Sequence, residues 1–206
     1  MRSNAFWEPP LDLMSLLRVF IALDIPANLQ RAIRQNMEGL QTSLGNSVRW
    51  VPADKIHLTL KFIGDIPPAH VASLSQAIVQ QAGTTSPFDI SIGGFGVFPD
   101  LRRARVLWVG VQAPAALGAL RRGIETGCAQ LGYSPDGRPF SPHLTVGRVR
   151  DYVSLGEQQR LRKALGETKI DSLGTTRVNS VHLYQSELKP DGSIYTKLFS
   201  APLKSQ

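Results

Sequence analysis

Cysteine is the scarcest chemistry in this chain: one residue, Cys128, among 206. A single thiol excludes an internal disulfide framework and a cysteine-based zinc cluster. Cys128 falls on the apolar stripe of a helical segment, which reads as packing rather than nucleophilic catalysis. Acidic residues are also few, 16 against 23 Lys and Arg, giving a net charge of +7. That balance favours an anionic partner, because a positive surface field concentrates phosphates. No apolar run is long enough to cross a membrane, which takes about 20 residues. The stretch from Leu11 to Leu23 is broken by Asp12 and Arg18, and no small-residue cleavage pattern follows it. A cytoplasmic protein is therefore expected. Two catalytic signatures are missing as well. There is no G-x-S-x-G turn of a serine hydrolase and no G-x-x-x-x-G-K-[ST] phosphate loop. Gly93-Gly94-Phe95-Gly96 lacks the lysine and reads as a bend at a strand end.

Histidine is also rare, with four in the chain, but two of the four stand in a repeated phrase. His57-Leu58-Thr59-Leu60 recurs as His143-Leu144-Thr145-Val146. Successive side chains on a strand alternate between faces. His57 and Thr59 thus share one face, with Ile56, Leu58, Leu60 and Phe62 on the other. His143 and Thr145 repeat the pattern, with Leu144 and Val146 behind them. An apolar run precedes each phrase, Arg18-Val19-Phe20-Ile21-Ala22-Leu23 and Arg105-Val106-Leu107-Trp108-Val109-Gly110. Each run leads to a proline, Pro26 or Pro114, which suits a helix start because its missing N–H has no partner to lose there. Leu29, Ile33, Met37 and Leu40 then form one helical stripe, and Leu117, Leu120, Ile124, Cys128 and Leu131 the other. The order strand, helix, His-x-Thr strand occurs twice, an internal duplication.

Strands are expected at 18–24, 48–51, 56–63, 88–94, 105–112, 143–149, 178–187 and 194–200, and helices at 27–44, 68–83, 114–131 and 155–165. Lys189-Pro190-Asp191-Gly192 is a turn signal joining the last two strands as a hairpin. So much strand-to-strand succession implies an α+β architecture with largely antiparallel sheets. Residues 1–17, including Trp7, Pro9, Pro10 and Met14, lie outside the duplicated scheme and are expected to form an N-terminal extension. Residues 18–206 are expected to form a single bilobal domain.

Two histidines facing one basic cleft suit displacement at phosphorus. Imidazole titrates near pH ~6.5, so one ring removes a proton from water while the other protonates the leaving alkoxide. The threonine hydroxyls donate hydrogen bonds to the non-bridging oxygens. A metal site is disfavoured, since each histidine is alone in its strand and threonine is a poor zinc ligand. No cofactor is expected. His70 reads as a surface residue and His182 as a candidate for the cleft. Lys55, Lys61, Arg102, Arg103 and Arg105 read equally as a solvated rim or as guides for a phosphate backbone, which would make binding salt-dependent. Phe95, Phe98 and Tyr184 each read first as core packing, with stacking of a terminal base as the alternative.

These motifs, with Arg49-Trp50-Val51, His57 to Gly64 and Ser141 to Arg148, resemble the 2H phosphoesterase superfamily. Within it, the resemblance is to the bacterial RNA 2′,3′-cyclic phosphodiesterase group, also called 2′-5′ RNA ligase-like. It spans about residues 18–200. It implies two mainly antiparallel sheets in pseudo-twofold-related lobes, a central cleft and helices packed outside. The implied activity is metal-independent hydrolysis of terminal 2′,3′-cyclic phosphates of RNA to 2′-phosphates, with reversible 2′-5′ ligation. His57 is then the acid for the leaving 3′-oxygen and His143 the base for water, an order that can be reversed. Thr59 and Thr145 hold the phosphate. Arg148 occupies the basic position after the second motif, although strict alternation places it opposite His143 unless a bulge redirects it. Small cyclic nucleotides, 2′-5′ oligoadenylates, or RNA binding without turnover are the competing readings. A monomer is expected.

Overall fold

The computed structural model describes residues 16–190 and 192–204. The expected N-terminal extension lies outside these residues, apart from Leu16 and Leu17, as does Asp191 of the last turn. Along the chain run β1 (Leu17–Asp24), α1 (Ala27–Leu44), β2 (Val48–Trp50), β3 (His57–Ile66), α2 (His70–Thr84) and β4 (Phe88–Phe98). They are followed by β5 (Val106–Gln112), α3 (Ala115–Gln130), β6 (His143–Val149), α4 (Leu155–Glu167), β7 (Ser172–Val178), β8 (Ser180–Lys189) and β9 (Gly192–Pro202).

The strands are hydrogen-bonded in the order β7-β4-β5-β6-β3-β1-β8-β9, with β2 added beside β6. All these pairings are antiparallel. The order is symmetric about its centre, β3, β1, β8 and β9 matching β6, β5, β4 and β7. The two expected sheets are thus one continuous sheet, joined at its middle by a single residue pair, Leu58 with Leu144. β3 and β6 pair with each other at no other position.

Helix assignments follow the periodicity. Leu29, Ile33, Met37, Leu40 and Leu44 are the buried side of α1, and Leu117, Leu120, Ile124 and Cys128 that of α3. Leu131 departs from the expected stripe: it lies just past the end of α3 and is exposed. Pro26 and Pro114 stand at the N-caps, and the Pro26 carbonyl accepts from the amides of Leu29 and Gln30. Ser154 and Glu157 form a reciprocal capping box at the start of α4, satisfying amides that have no partner within the helix.

The helices cross between halves. α1 follows β1 yet packs against β2, β7 and α4, while α3 follows β5 yet packs against β3 and α2. The duplicated units of the sequence therefore interlock. Two strand expectations need correction. β7 was not anticipated, because Ser172-Leu173-Gly174-Thr175-Thr176-Arg177-Val178 carries little apolar alternation and sits at a sheet edge. The glycines of β4 lie inside the strand rather than at its end. A bulge between Ile92 and Phe95, with Gly94 at φ 76°, bends the strand before it continues to Phe98.

Candidate active site

The Leu58–Leu144 pair that joins the halves sits fully buried on the core face. Its neighbours on both strands, His57, Thr59, His143 and Thr145, must then emerge together on the opposite, concave face. All four are half-buried. Extending the register by one residue sets each histidine across from the other strand's threonine.

The two imidazoles are held alike. His57 Nδ1 lies 2.8 Å from the Lys55 carbonyl, and His143 Nδ1 lies 2.7 Å from the Ser141 carbonyl. A carbonyl only accepts, so each Nδ1 donates its hydrogen and each Nε2 is left for proton transfer. Neither threonine hydroxyl has a protein hydrogen-bond partner among the described residues, which leaves both as donors for a bound anion.

The surroundings differ between the halves. His57 stacks on Phe20 with ring centroids 4.7 Å apart and meets the edge of Tyr195. Phe20 in turn stacks on Tyr184. His143 meets Phe98 edge-on at 5.0 Å, with Trp108 at 6.4 Å. Burial in the aromatic nest lowers the His57 pKa, opposed by its bond to the Lys55 carbonyl and by the charge of Asp24. Asp24 pairs with His57 across the β1–β3 ladder, whereas the residue paired with His143 is Gly110. Burial works against ionisation of Asp24. Hydrogen bonds from Lys197 and Tyr184, with the charges of His182 and Lys197, nevertheless hold its carboxyl below the usual range.

Bulges decide which later residues join this face. The β1–β3 register slips at Leu60 and the β5–β6 register slips at Val146, equivalent positions in the two motifs. Alternation is broken there, and Lys61 and Gly147 turn into the core while Phe62 and Arg148 turn out. Lys61 is 1% exposed and Phe62 is 61% exposed, the reverse of the expected faces. The slip gives exposed Arg148 the same facing as His143. Opposite Gly147, Val48 and Trp50 would collide with any Cβ, which fixes the inward direction at that residue.

The remaining candidates separate cleanly. Lys61 donates to Glu125 at 2.6 Å and to the Ser134 carbonyl at 2.9 Å, so it guides no RNA. Lys55 spends its ammonium on the Ser193 carbonyl at 2.8 Å. Phe95 packs on the core, while Phe98 and Tyr184 belong to the site. His70 is exposed and meets the Tyr133 hydroxyl. His182 shares the concave face through its ladder partner Ala22 but is buried, beside Ser180 and Asp24. Burial lowers its pKa, the charge of Asp24 opposes this, and Lys197 adds to it. Cys128 is buried, and burial, opposed by the charge of Lys61 and aided by that of Glu125, pushes its thiol up to about 11. Sequence reading missed Phe20, Trp108, Tyr195 and Asp24 as neighbours of the histidines, and Phe62 as a neighbour of Phe20. For Asp24 a signal existed, since it closes the strand that pairs with the first motif; for Phe62 none did, because the bulge leaves no mark in the residue pattern.

A sequence model of the 2′-5′ RNA ligase superfamily matches residues 25–190. An RNA 2′,3′-cyclic phosphodiesterase of Methanothermobacter thermautotrophicus is 34% identical over 182 residues, 88% of this chain and 96% of that protein. The crystal structure of TT0787 of Thermus thermophilus superimposes with a TM-score of 0.75 at 26% identity, covering 92% of this chain and 100% of that one. LigT of E. coli, solved in complex with 3′-AMP, gives a TM-score of 0.69 at 25% identity over 92% of this chain and 99% of that one.

Proposed function

The chain belongs to the 2′-5′ RNA ligase superfamily, and from that premise we propose that it hydrolyses terminal 2′,3′-cyclic phosphates of RNA to 2′-phosphates. The observation that carries this reading is the pair of imidazoles, each tethered through Nδ1 to a carbonyl two residues upstream, beside two unspent threonine hydroxyls. The relative from Methanothermobacter thermautotrophicus bears the name of this activity.

His143 takes a proton from the attacking water as its oxygen bonds to phosphorus. The P–O3′ bond breaks on the opposite side, and His57 protonates the departing 3′-oxygen. The carboxylate of Asp24 supports His57 as the imidazolium, the form an acid needs. Thr59 and Thr145 hydrogen-bond the non-bridging oxygens, where charge builds in the transition state. Arg148 adds a cation to the same face. With a 5′-hydroxyl in place of water, the same displacement forms a 2′-5′ linkage and frees the 3′-hydroxyl; its reverse, attack by that 3′-hydroxyl, restores the cyclic phosphate with the roles of the histidines exchanged. Acid, base and charge stabilisation all come from side chains, so no divalent ion has a required task. The two halves of the chain each contribute one histidine and one threonine and act as one catalytic unit.

The test is product analysis of an oligoribonucleotide with a 2′,3′-cyclic end, incubated in EDTA. A 2′-phosphate product is expected. A 3′-phosphate product reverses the binding orientation, and loss of activity with rescue by added metal overturns the mechanism.

A further inference from the structure

We propose that single-stranded RNA upstream of the reacting end is held in an arginine-lined groove between the β4–β5 loop and α4. This inference rests on the phosphodiesterase reading above and adds where the rest of the substrate runs. The groove has a volume of about 220 Å³ and is lined by Arg102, Arg103, Arg105, Arg150 and Arg162. Its floor is apolar, with Leu101, Val149 and Leu161. Such a surface accepts an unstacked base while the guanidinium groups take the phosphates.

The charges in this groove are largely unspent. Arg105 pairs with Asp151 at 2.9 Å, and both side chains are well exposed. The guanidinium groups of Arg102, Arg103, Arg150 and Arg162 have no ion-pair partner among the described residues. The Asp100 carboxylate accepts from the backbone amides of Arg102 and Arg103, at 2.7 and 3.0 Å. It thereby fixes the turn from which both arginines project. So many like charges around one hollow repel each other, and a polyanion relieves that repulsion.

Both walls of the groove begin at the catalytic site. Phe98, whose ring meets His143, lies three residues before Leu101, and Arg148 directly precedes Val149. On the way, Arg49 and Arg148 stand directly opposite each other on the β2–β6 ladder, both exposed. Like charges in that relation destabilise a sheet, and a phosphate between them removes the penalty. From Thr145 to Arg150 the strand covers about 17 Å, a span of a few nucleotides. RNA leaving the histidines along β6 therefore meets Arg148 and Arg49 first and the groove next.

The experiment compares a triple variant, R102A/R103A/R162A, with a control, R31A/R34A/R122A, which removes the same charge from exposed positions on α1 and α3. Three readouts are taken: kcat/KM on a 2′,3′-cyclic mononucleotide, kcat/KM on an oligoribonucleotide of about ten nucleotides with a cyclic end, and anisotropy binding of the same oligomer ending in a 2′-phosphate, across a salt series. For the groove variant, mononucleotide turnover is expected to stay at the wild-type level while oligomer affinity falls at least tenfold. The slope of log affinity against log salt should shrink by about 2, at roughly 0.7 per lost phosphate contact to a single strand. Oligomer affinity and salt slope equal to those of the control overturn the groove. If the wild type turns over neither substrate, the proposed activity fails, and the anisotropy series still decides whether the groove binds RNA.

Discussion

At His57 and His143 the backbone carbonyl two residues upstream selects the tautomer, so the chemistry rests on two Nε2 atoms and the hydroxyls beside them. His57→Ala and His143→Ala are each expected to lower turnover by about 10²-fold or more, the usual contribution of a positioned acid or base. The double variant should lose much less than the product of the two, because the groups act as a unit. Near-normal steady-state rates in a single variant remove that histidine from the reaction. Thr59→Val and Thr145→Val keep the shape and delete a donor, with a cost of up to about 3 kcal/mol in transition-state stabilisation. Unchanged kcat/KM in both rejects the oxyanion role. The pH profile separates acid from base. Burial holds the His57 pKa below its ordinary value, and as the acid it works protonated. kcat/KM should thus decline as pH rises through a pKa below ~6.5. Asp24→Asn removes the charge that favours the imidazolium, so the decline moves to lower pH and activity at neutral pH falls. If Asp24→Asn instead extends activity toward acid pH, His57 is the base.

Among the elements, β3 and β6 each carry a bulge one residue after the motif threonine, and it decides the facing of the residues that follow. A regular ladder would have buried Phe62 and exposed Lys61. β4 contributes in a different way. Gly96 stands opposite Trp108 on the β4–β5 ladder, and a Cβ there would overlap the indole ring. Gly96→Ala is expected to push Trp108 out of place at a cost of about 1–3 kcal/mol, the range for overpacking. Because Trp108 and Phe98 flank His143, catalytic activity should fall with stability. Urea midpoint and kcat/KM measured on the same preparation check both, and a variant as stable and active as the wild type shows that the indole position is of no consequence.

On the scale of the whole molecule, the halves are tied by more than their central strand pair. α1 of the first unit packs against β7 and α4 of the second, and α3 of the second packs against β3 and α2 of the first. A buried charge cluster strengthens the join. Glu125 of α3 receives Lys61 of β3 at 2.6 Å and Arg121 at 2.9 Å. Arg121 also reaches Asp136 at 3.3 Å and the Leu60 carbonyl at 3.1 Å, and its guanidinium lies over the Phe140 ring. β3 and the segment leading into His143 are thereby fastened to one helix. Glu125→Gln leaves Lys61 buried without a counter-charge and should cost about 3 kcal/mol, read as a lower urea midpoint. A midpoint equal to that of wild type would show that the pairing of Lys61 with Glu125 adds nothing to stability. No described helix is long and apolar enough to cross a membrane.

The sequence by itself determined the parts of the fold that depend on local pattern. The alternation around His57 and His143, the stripes of α1 and α3 and the prolines before them are properties of neighbouring residues, and a duplicated phrase reveals that two copies serve one purpose. Tertiary structure decided everything that depends on pairing. Whether Lys61 or Phe62 turns away from the core depends on a one-residue slip against β1 at Leu60, which flips the side chains that follow it until a second slip at Ile63. Arg148 reaches the side of His143 through the matching slip against β5. The nest of Phe20, Tyr184 and Tyr195 around His57 draws on β1 and on the β8–β9 hairpin at the other end of the chain. The crossing of α1 and α3 is likewise invisible locally, because an apolar stripe records that a helix must be covered without recording which sheet covers it.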